Sequence, residues 1–153
     1  MSGRRDSVPG MSPSLLHRVV RGFAVYDLCV TLPFATPWTA GAMLGVMQWA
    51  HEGLALRGEA MPVFMPVHLF FVALFGVLAV IWALVRILQP TALHGAIDTV
   101  GRGLVAAWMV LALTQGATRV LGAFLVMEAA GMFVQGALLL GARRRVVAPT
   151  MGN

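Results

Sequence analysis

The chain has 153 residues, of which 59% are hydrophobic and only 11% are charged. With a mean hydropathy of +0.83, this composition excludes an ordinary soluble domain, in which about a quarter of the residues are charged, and predicts an all-α integral membrane protein. The net charge of +5 comes from eleven arginines and no lysine. Because these arginines flank apolar segments, they indicate membrane orientation and argue against nucleic-acid binding.

The N-terminal part of the chain predicts a polar tail followed by a first span. Residues 1–13 combine Ser, Gly and Pro with two arginines and lack apolar periodicity, so we expect a disordered cytoplasmic tail. The first span is expected at about 14–34, where Pro33 and Pro37 interrupt the helix. A cleaved signal peptide is the alternative, although Asp27 within the apolar core is unfavourable for one.

The next segment, 38–56, is apolar but carries several polar side chains, including Gln48 and Glu52. A continuous helix from the first span through this segment would exceed about 50 Å, so the chain must turn. We therefore expect an interfacial amphipathic helix between spans 1 and 2, at the membrane interface that faces away from the cytoplasm. A short re-entrant segment is the alternative.

Three further spans are expected, at about 66–89, 95–115 and 119–142, and a basic cytoplasmic tail at 143–153. No charge lies between His68 and Arg86, and the twenty-odd residues of the segment 66–89 cover roughly 30 Å, the thickness of the bilayer hydrocarbon. The membrane domain, 14–142, is thus predicted to be a four-transmembrane-helix bundle.

The arginines near the span ends predict the orientation of this bundle. Nine lie on the side of both termini and two, Arg57 and Arg119, on the other side. Both termini are therefore expected in the cytoplasm. The absence of lysine amid abundant Ala, Gly, Val and Arg is typical of a GC-rich bacterial gene, which predicts a multi-pass protein of the inner membrane. The nine arginines on the side of both termini are Arg4, Arg5, Arg18, Arg21, Arg86, Arg102, Arg143, Arg144 and Arg145.

Ionisable residues at membrane depth are costly and are functional candidates by default. Asp27 and Arg102 each lie about 10 Å into spans 1 and 3, and Asp98 precedes Arg102 by one helical turn. We expect these three residues to form a cluster that neutralises itself and joins span 1 to span 3. A cytoplasm-facing site for an anion or a lipid headgroup is the alternative, and snorkelling to the interface is a further one.

Glu128 is expected deeper, about 15 Å into span 4, on a face that it shares with Gln135. No arginine is expected at its depth. We therefore predict that Glu128 is an uncharged acid that joins helices by a hydrogen bond. A carboxyl group that binds a proton or a ligand is the alternative.

Four further polar residues, His51, Glu52, His68 and Arg119, are expected near the outer surface, where they could line a mouth. They have neither the H-x-x-x-H nor the E-x-x-H spacing of a metal site, and the histidines do not suit a haem. The sequence therefore predicts no metal and no cofactor.

No catalytic or nucleotide-binding motif accompanies the spans, and no outward-facing acid and base are paired. The sequence favours a non-enzymatic accessory or assembly subunit that binds a membrane protein partner or forms a homo-oligomer in the lipid bilayer. A small-molecule or lipid transporter that acts as an oligomer is the first alternative, and a membrane enzyme or redox accessory is the second. In size and layout the chain resembles small bacterial four-span inner-membrane proteins, such as the DoxX-like group. This resemblance covers span count and topology, so it implies no site residue.

Overall fold

The computed structural model describes residues 13–147 of the chain, and the side chains of residues 15–142. Within residues 13–147 the chain is all-helical and contains no strand. Its helices are α1 (Pro13–Thr31), α2 (Pro37–Gly53), α3 (Pro66–Leu88), α4 (Ala92–Thr114) and α5 (Val120–Val147), and a single 3₁₀ turn, Leu32–Phe34, follows α1. The predicted tails, 1–13 and 143–153, lie mostly outside the described residues, and the parts that are described belong to α1 and α5.

Helix boundaries follow local signals in the sequence. α2 and α3 both begin with a proline, Pro37 and Pro66, whose fixed φ suits the first helical position and whose missing N–H costs nothing there. Thr36 and Thr91 cap α2 and α4, because each hydroxyl oxygen accepts a hydrogen bond from a backbone N–H three residues later.

Three helical segments are long and apolar enough to cross a membrane: α3, α4 and residues Val120–Ala142 of α5. The first two helices pass the same test only as a pair, and they are bent by 101° where Leu15–Phe34 meets Pro37–Gly53. The number of candidate spans is therefore three, or four if this bent pair is one span. The prediction of an all-α protein with several membrane-spanning helices is confirmed in this coarser form.

The break between α1 and α2 lies against the middle of α3. A Cβ atom added at Gly76 would come within 2.3 Å of the carbonyl oxygen of Phe34, so only glycine permits this approach. At its other end, α2 is joined to the connection between α4 and α5, where Nδ1 of His51 lies 2.7 Å from Oγ1 of Thr118. The two ends of α2 are therefore anchored at different heights along the bundle.

The bundle has small and polar residues inside and large apolar residues outside. On α3 the buried residues are Ala73, Gly76, Ala83 and Arg86, whereas Phe75 is 65% exposed. This distribution reverses that of a soluble protein, which hides its large apolar side chains from water. A surface of this kind is suited to lipid, because lipid tails solvate the outward-facing side chains.

Candidate functional site

A cluster of five charged residues occupies the interior of the bundle, and α1, α3, α4 and α5 all contribute to it. We refer to these residues as the core cluster. They are Asp27, Arg86, Asp98, Arg102 and Glu128.

Arg102 of α4 is in contact with all three carboxylates of the core cluster. Its Nε donates a hydrogen bond of 2.9 Å to Oδ2 of Asp98, one turn earlier on the same helix. Its Nη1 donates one of 2.9 Å to Oε2 of Glu128 on α5, and its Nη2 donates another to Oδ2 of Asp27 on α1. The planar guanidinium can make such bonds in several directions at once. One cation therefore joins three helices.

Two close neighbours restrict the position of the Arg102 side chain. The guanidinium carbon lies 5.1 Å from the centre of the Phe23 ring, within the range of a cation–π contact. On the opposite helix, a Cβ atom added at Gly131 would come within 2.9 Å of Cδ of Arg102. Glycine at that position thus leaves the space that the arginine occupies.

Arg86 of α3 is the second cation of the core cluster, and only 1% of its side chain is exposed. Its Nη2 donates a hydrogen bond of 2.7 Å to Oδ2 of Asp27. Its Nη1 lies 2.7 Å from Oδ1 of Asp98 and forms an ion pair with it, although the angle at this contact does not meet hydrogen-bond geometry. The guanidinium also lies 5.4 Å from the ring of Trp82.

Asp98 has more partners than the other two carboxylates. Besides the two arginines, the indole Nε1 of Trp82 donates a hydrogen bond of 3.2 Å to its Oδ1. Nε2 of Gln135, a residue with no exposed surface, donates one of 2.8 Å to its Oδ2. These bonds satisfy a charge that is almost completely removed from solvent.

The other two carboxylates are less enclosed. The side chains of Asp27 and Glu128 are 15% and 21% exposed, against 7% for Asp98. Within the described residues, Oδ1 of Asp27 and Oε1 of Glu128 accept no hydrogen bond, while their other carboxylate oxygens bind arginine. The accessible side of the core cluster is therefore acidic.

The structure brings together all five predicted intramembrane residues and corrects two expectations. Asp27, Asp98 and Arg102 make the contacts expected from their depths. The expectation that Glu128 has no arginine within reach is wrong, because depth counted between Cα atoms ignores the length of the arginine side chain, which carries Nη1 of Arg102 to the carboxylate. Arg86 was expected at the end of its span and belongs to the core cluster instead. A function of these residues beyond packing stays a prediction.

The four residues predicted to line an outer mouth are only partly brought together. His51 contacts Thr118, which immediately precedes Arg119. The carboxylate of Glu52 accepts a hydrogen bond from Gln48, and Nδ1 of His68 accepts one of 3.1 Å from the backbone N–H of Met65. No hydrogen bond joins these four side chains to one another among the residues described. Arg57 was not among the residues predicted to line this mouth, although its carbonyl oxygen accepts a hydrogen bond from the backbone N–H of Arg119.

The described residues contain no group of three or more His, Cys, Asp or Glu side chains arranged to hold a metal ion. The carboxylates of the core cluster are separated by guanidinium groups instead.

No protein-family model, curated protein or solved structure matches this chain. The resemblance to small four-span membrane proteins thus stays one of layout, and the core cluster is the feature of this chain that bears on function.

Proposed function

We propose that the chain is a four-span protein of the inner membrane that takes up and releases one proton in its core cluster, as a proton-coupled carrier does. The observation that supports this proposal is the unequal number of charges: three carboxylates share two guanidinium groups. If every group is ionised, the core cluster has one negative charge in excess.

An excess charge inside the hydrocarbon is costly. Transfer of a carboxylate into a medium of low dielectric costs several kcal/mol even after the surroundings relax. A proton removes this cost without any change in the packing of the helices. The core cluster therefore has a physical reason to bind one proton, and a second reason to lose it when the surroundings become polar.

Glu128 is the carboxylate that we propose to carry the proton. It has one arginine partner, Arg102, whereas Asp27 and Asp98 each contact both arginines. Protonation of Glu128 therefore sacrifices the fewest ion pairs. Its Oε1 is free of hydrogen bonds within the described residues, so a proton can reach it without displacing a partner.

The distribution of arginines supports the proposed orientation, with both termini in the cytoplasm. Arg86 and Arg102 belong to the core cluster and cannot be counted as flanking charges. Without them, seven arginines remain on the side of the termini and two on the other, which favours the same direction.

The anchors of α2 bear on how the first span crosses the membrane. Its start lies beside Gly76, in the middle of α3, and its end lies at Thr118, between α4 and α5. Because the two ends of α2 lie at different heights, they favour a broken first span that consists of α1 and α2. They argue against an interfacial helix that lies flat on the outer surface. Both arrangements leave the two termini on one side of the membrane.

Infrared spectroscopy tests the proposal directly, because a protonated carboxylic acid has a C=O band that shifts in D₂O. Purified protein in lipid nanodiscs should show one such band, and it should disappear as the pH is raised. Glu128→Gln should lack the band. Glu52→Gln, which alters an exposed carboxylate of α2, is the matched control and should keep it.

Two outcomes would count against the proposal. A wild-type protein without a protonated carboxyl band at any pH between 5 and 9 would show that the core cluster retains its excess charge. A band that persists in folded Glu128→Gln protein would exclude Glu128 as the proton carrier.

The accessory or assembly role is the second candidate, and the surface of α2 favours it. Cβ atoms added at Gly41 and Gly45 would meet nothing within 4 Å, and both glycines line an open pocket of about 420 Å³ together with Val63 and Phe64, so this G-x-x-x-G surface leaves room for side chains of a partner helix. Co-purification of a stoichiometric partner from mild detergent, lost in Gly41→Leu but retained in Gly22→Leu, would support it. Gly22 is equally open but lies on α1.

A further inference from the structure

An open pocket of about 520 Å³ lies at the end of the bundle where α4 finishes and α5 begins. Its lining includes Arg57, Leu113, Arg119 and Gly122. The volume is within the usual range for small-ligand pockets, roughly 300–1,000 Å³. It shares no residue with the core cluster.

Backbone contacts hold the two arginines on the walls of this pocket. The N–H of Arg119 donates a hydrogen bond of 3.1 Å to the carbonyl oxygen of Arg57, and the N–H of Glu59 donates one of 2.7 Å to that of Gly116. Gly58 lies between these bonds with a φ of +104°, and a Cβ atom there would come within 2.5 Å of the carbonyl oxygen of Ala117. The two loops therefore fit together only with glycine at this position.

The described part of the chain supplies no carboxylate partner for either guanidinium group. Among the described side chains, neither Arg57 nor Arg119 forms an ion pair, although the exposed Glu59 is close in sequence to Arg57. Both arginines are exposed and line the same pocket, so their like charges repel each other, and an anion bound between them would offset this repulsion.

We propose that this pocket binds a phosphate group, such as that of an anionic phospholipid headgroup. Guanidinium groups bind phosphate oxygens through paired, charge-assisted hydrogen bonds. The pocket lies beside the ends of α4 and α5, two helices long enough to span a membrane, which is the level of lipid headgroups. Leu113 offers an apolar wall for the part of a lipid next to its phosphate.

Native mass spectrometry of the detergent-purified protein tests this proposal with two synthetic lipids that have the same acyl chains, phosphatidylglycerol and phosphatidylcholine. The wild-type protein should retain phosphatidylglycerol preferentially. The double variant Arg57→Gln, Arg119→Gln should bind phosphatidylglycerol about tenfold more weakly for each arginine lost. A charge-assisted hydrogen bond contributes at least this factor to a dissociation constant. The control, Arg18→Gln, removes one arginine at the opposite end of the bundle and should bind as the wild type does, whereas each single variant, Arg57→Gln or Arg119→Gln, should bind more weakly.

A second variant separates a pocket from simple charge attraction. Gly122 lines the pocket, and a Cβ atom there would meet nothing within 4 Å, so Gly122→Leu should fill the space without disturbing the fold. It keeps both arginines and should nevertheless lose the preference for phosphatidylglycerol. Competition by inorganic phosphate would indicate a soluble phosphate as the ligand and would equally support the site. Lipid and phosphate binding that are unchanged in the double variant, or in Gly122→Leu, would overturn the proposal.

Discussion

Arg102 and Glu128 are joined by a hydrogen bond of 2.9 Å between Nη1 and Oε2, although they lie 26 positions apart on two different helices. The same guanidinium also binds Asp27 of α1. Since three helices converge on one cation, the packing of α1 against the α4–α5 hairpin depends on this residue. Its removal should therefore affect the whole bundle and not only a local contact.

We predict that Arg102→Gln strongly destabilises the protein. The change leaves three carboxylates with Arg86 as their single cation, and breaking a buried ion pair from one side costs about 3–5 kcal/mol. Folded yield in membranes and the thermal unfolding temperature in detergent should both fall. Arg18→Gln, at an exposed position of α1, should leave them unchanged. Equal unfolding temperatures for the two variants would contradict a central role for Arg102.

A double-mutant cycle should show that Asp27 and Arg102 are coupled. Loss of Arg102 leaves a surplus of negative charge, which Asp27→Asn then reduces, so Asp27→Asn should recover part of the stability in the Arg102→Gln background. The expected coupling free energy is about 0.5–3 kcal/mol. It is obtained from the unfolding free energies of the wild type, both single variants and the double variant in detergent. Additive losses would show that the two side chains act independently.

Much of the core cluster could be predicted from the sequence because helix geometry relates residue number to depth. Asp98 and Arg102 are four residues apart on one helix, and the depth of Asp27 matches theirs. Arg86 was missed because its Cα lies two residues before the end of α3, where an arginine normally marks the membrane surface. Its burial becomes apparent from the spacing of Ala73, Gly76 and Ala83, which defines the inner face that Arg86 continues.

The path of α2 could be predicted from the sequence only in part. Pro33 and Pro37 predicted the break, and α2 spans Pro37–Gly53, while the interfacial position expected for the segment 38–56 stays a prediction. The 101° bend and the contact of Phe34 with Gly76 could not be predicted. They depend on which distant glycine the turn approaches, and the sequence has 17 glycines.

We predict that topology reporters will place both termini in the cytoplasm and the Arg57 and Ala117 positions outside. The physical basis is the excess of arginines beside the termini. Fusions before Ser2, after Arg57, after Ala117 and after Asn153 should be measured with a phosphatase and a fluorescent-protein reporter, which are active on opposite sides. A cytoplasmic signal at Arg57 would rule out the four-span arrangement. Loss of the first forty residues from the mature protein would establish a signal peptide.

The last prediction concerns the close approach of α3 to the break between α1 and α2. Gly76→Ala should be destabilising, because its Cβ would meet the carbonyl oxygen and carbon of Phe34 at 2.3 and 2.4 Å and the backbone nitrogen of Ala35 at 2.8 Å. All three are backbone atoms, so no side chain can rotate away and the two helices must separate. Overpacking of this kind costs about 1–3 kcal/mol or more.

Gly101→Ala on α4 is the matched control, since a Cβ there meets nothing within 4 Å and alanine favours a helix by about 1 kcal/mol over glycine. The unfolding temperature in detergent should therefore fall for Gly76→Ala and remain unchanged or rise for Gly101→Ala, and an unchanged unfolding temperature for Gly76→Ala would show that the break between α1 and α2 does not approach α3 at this point.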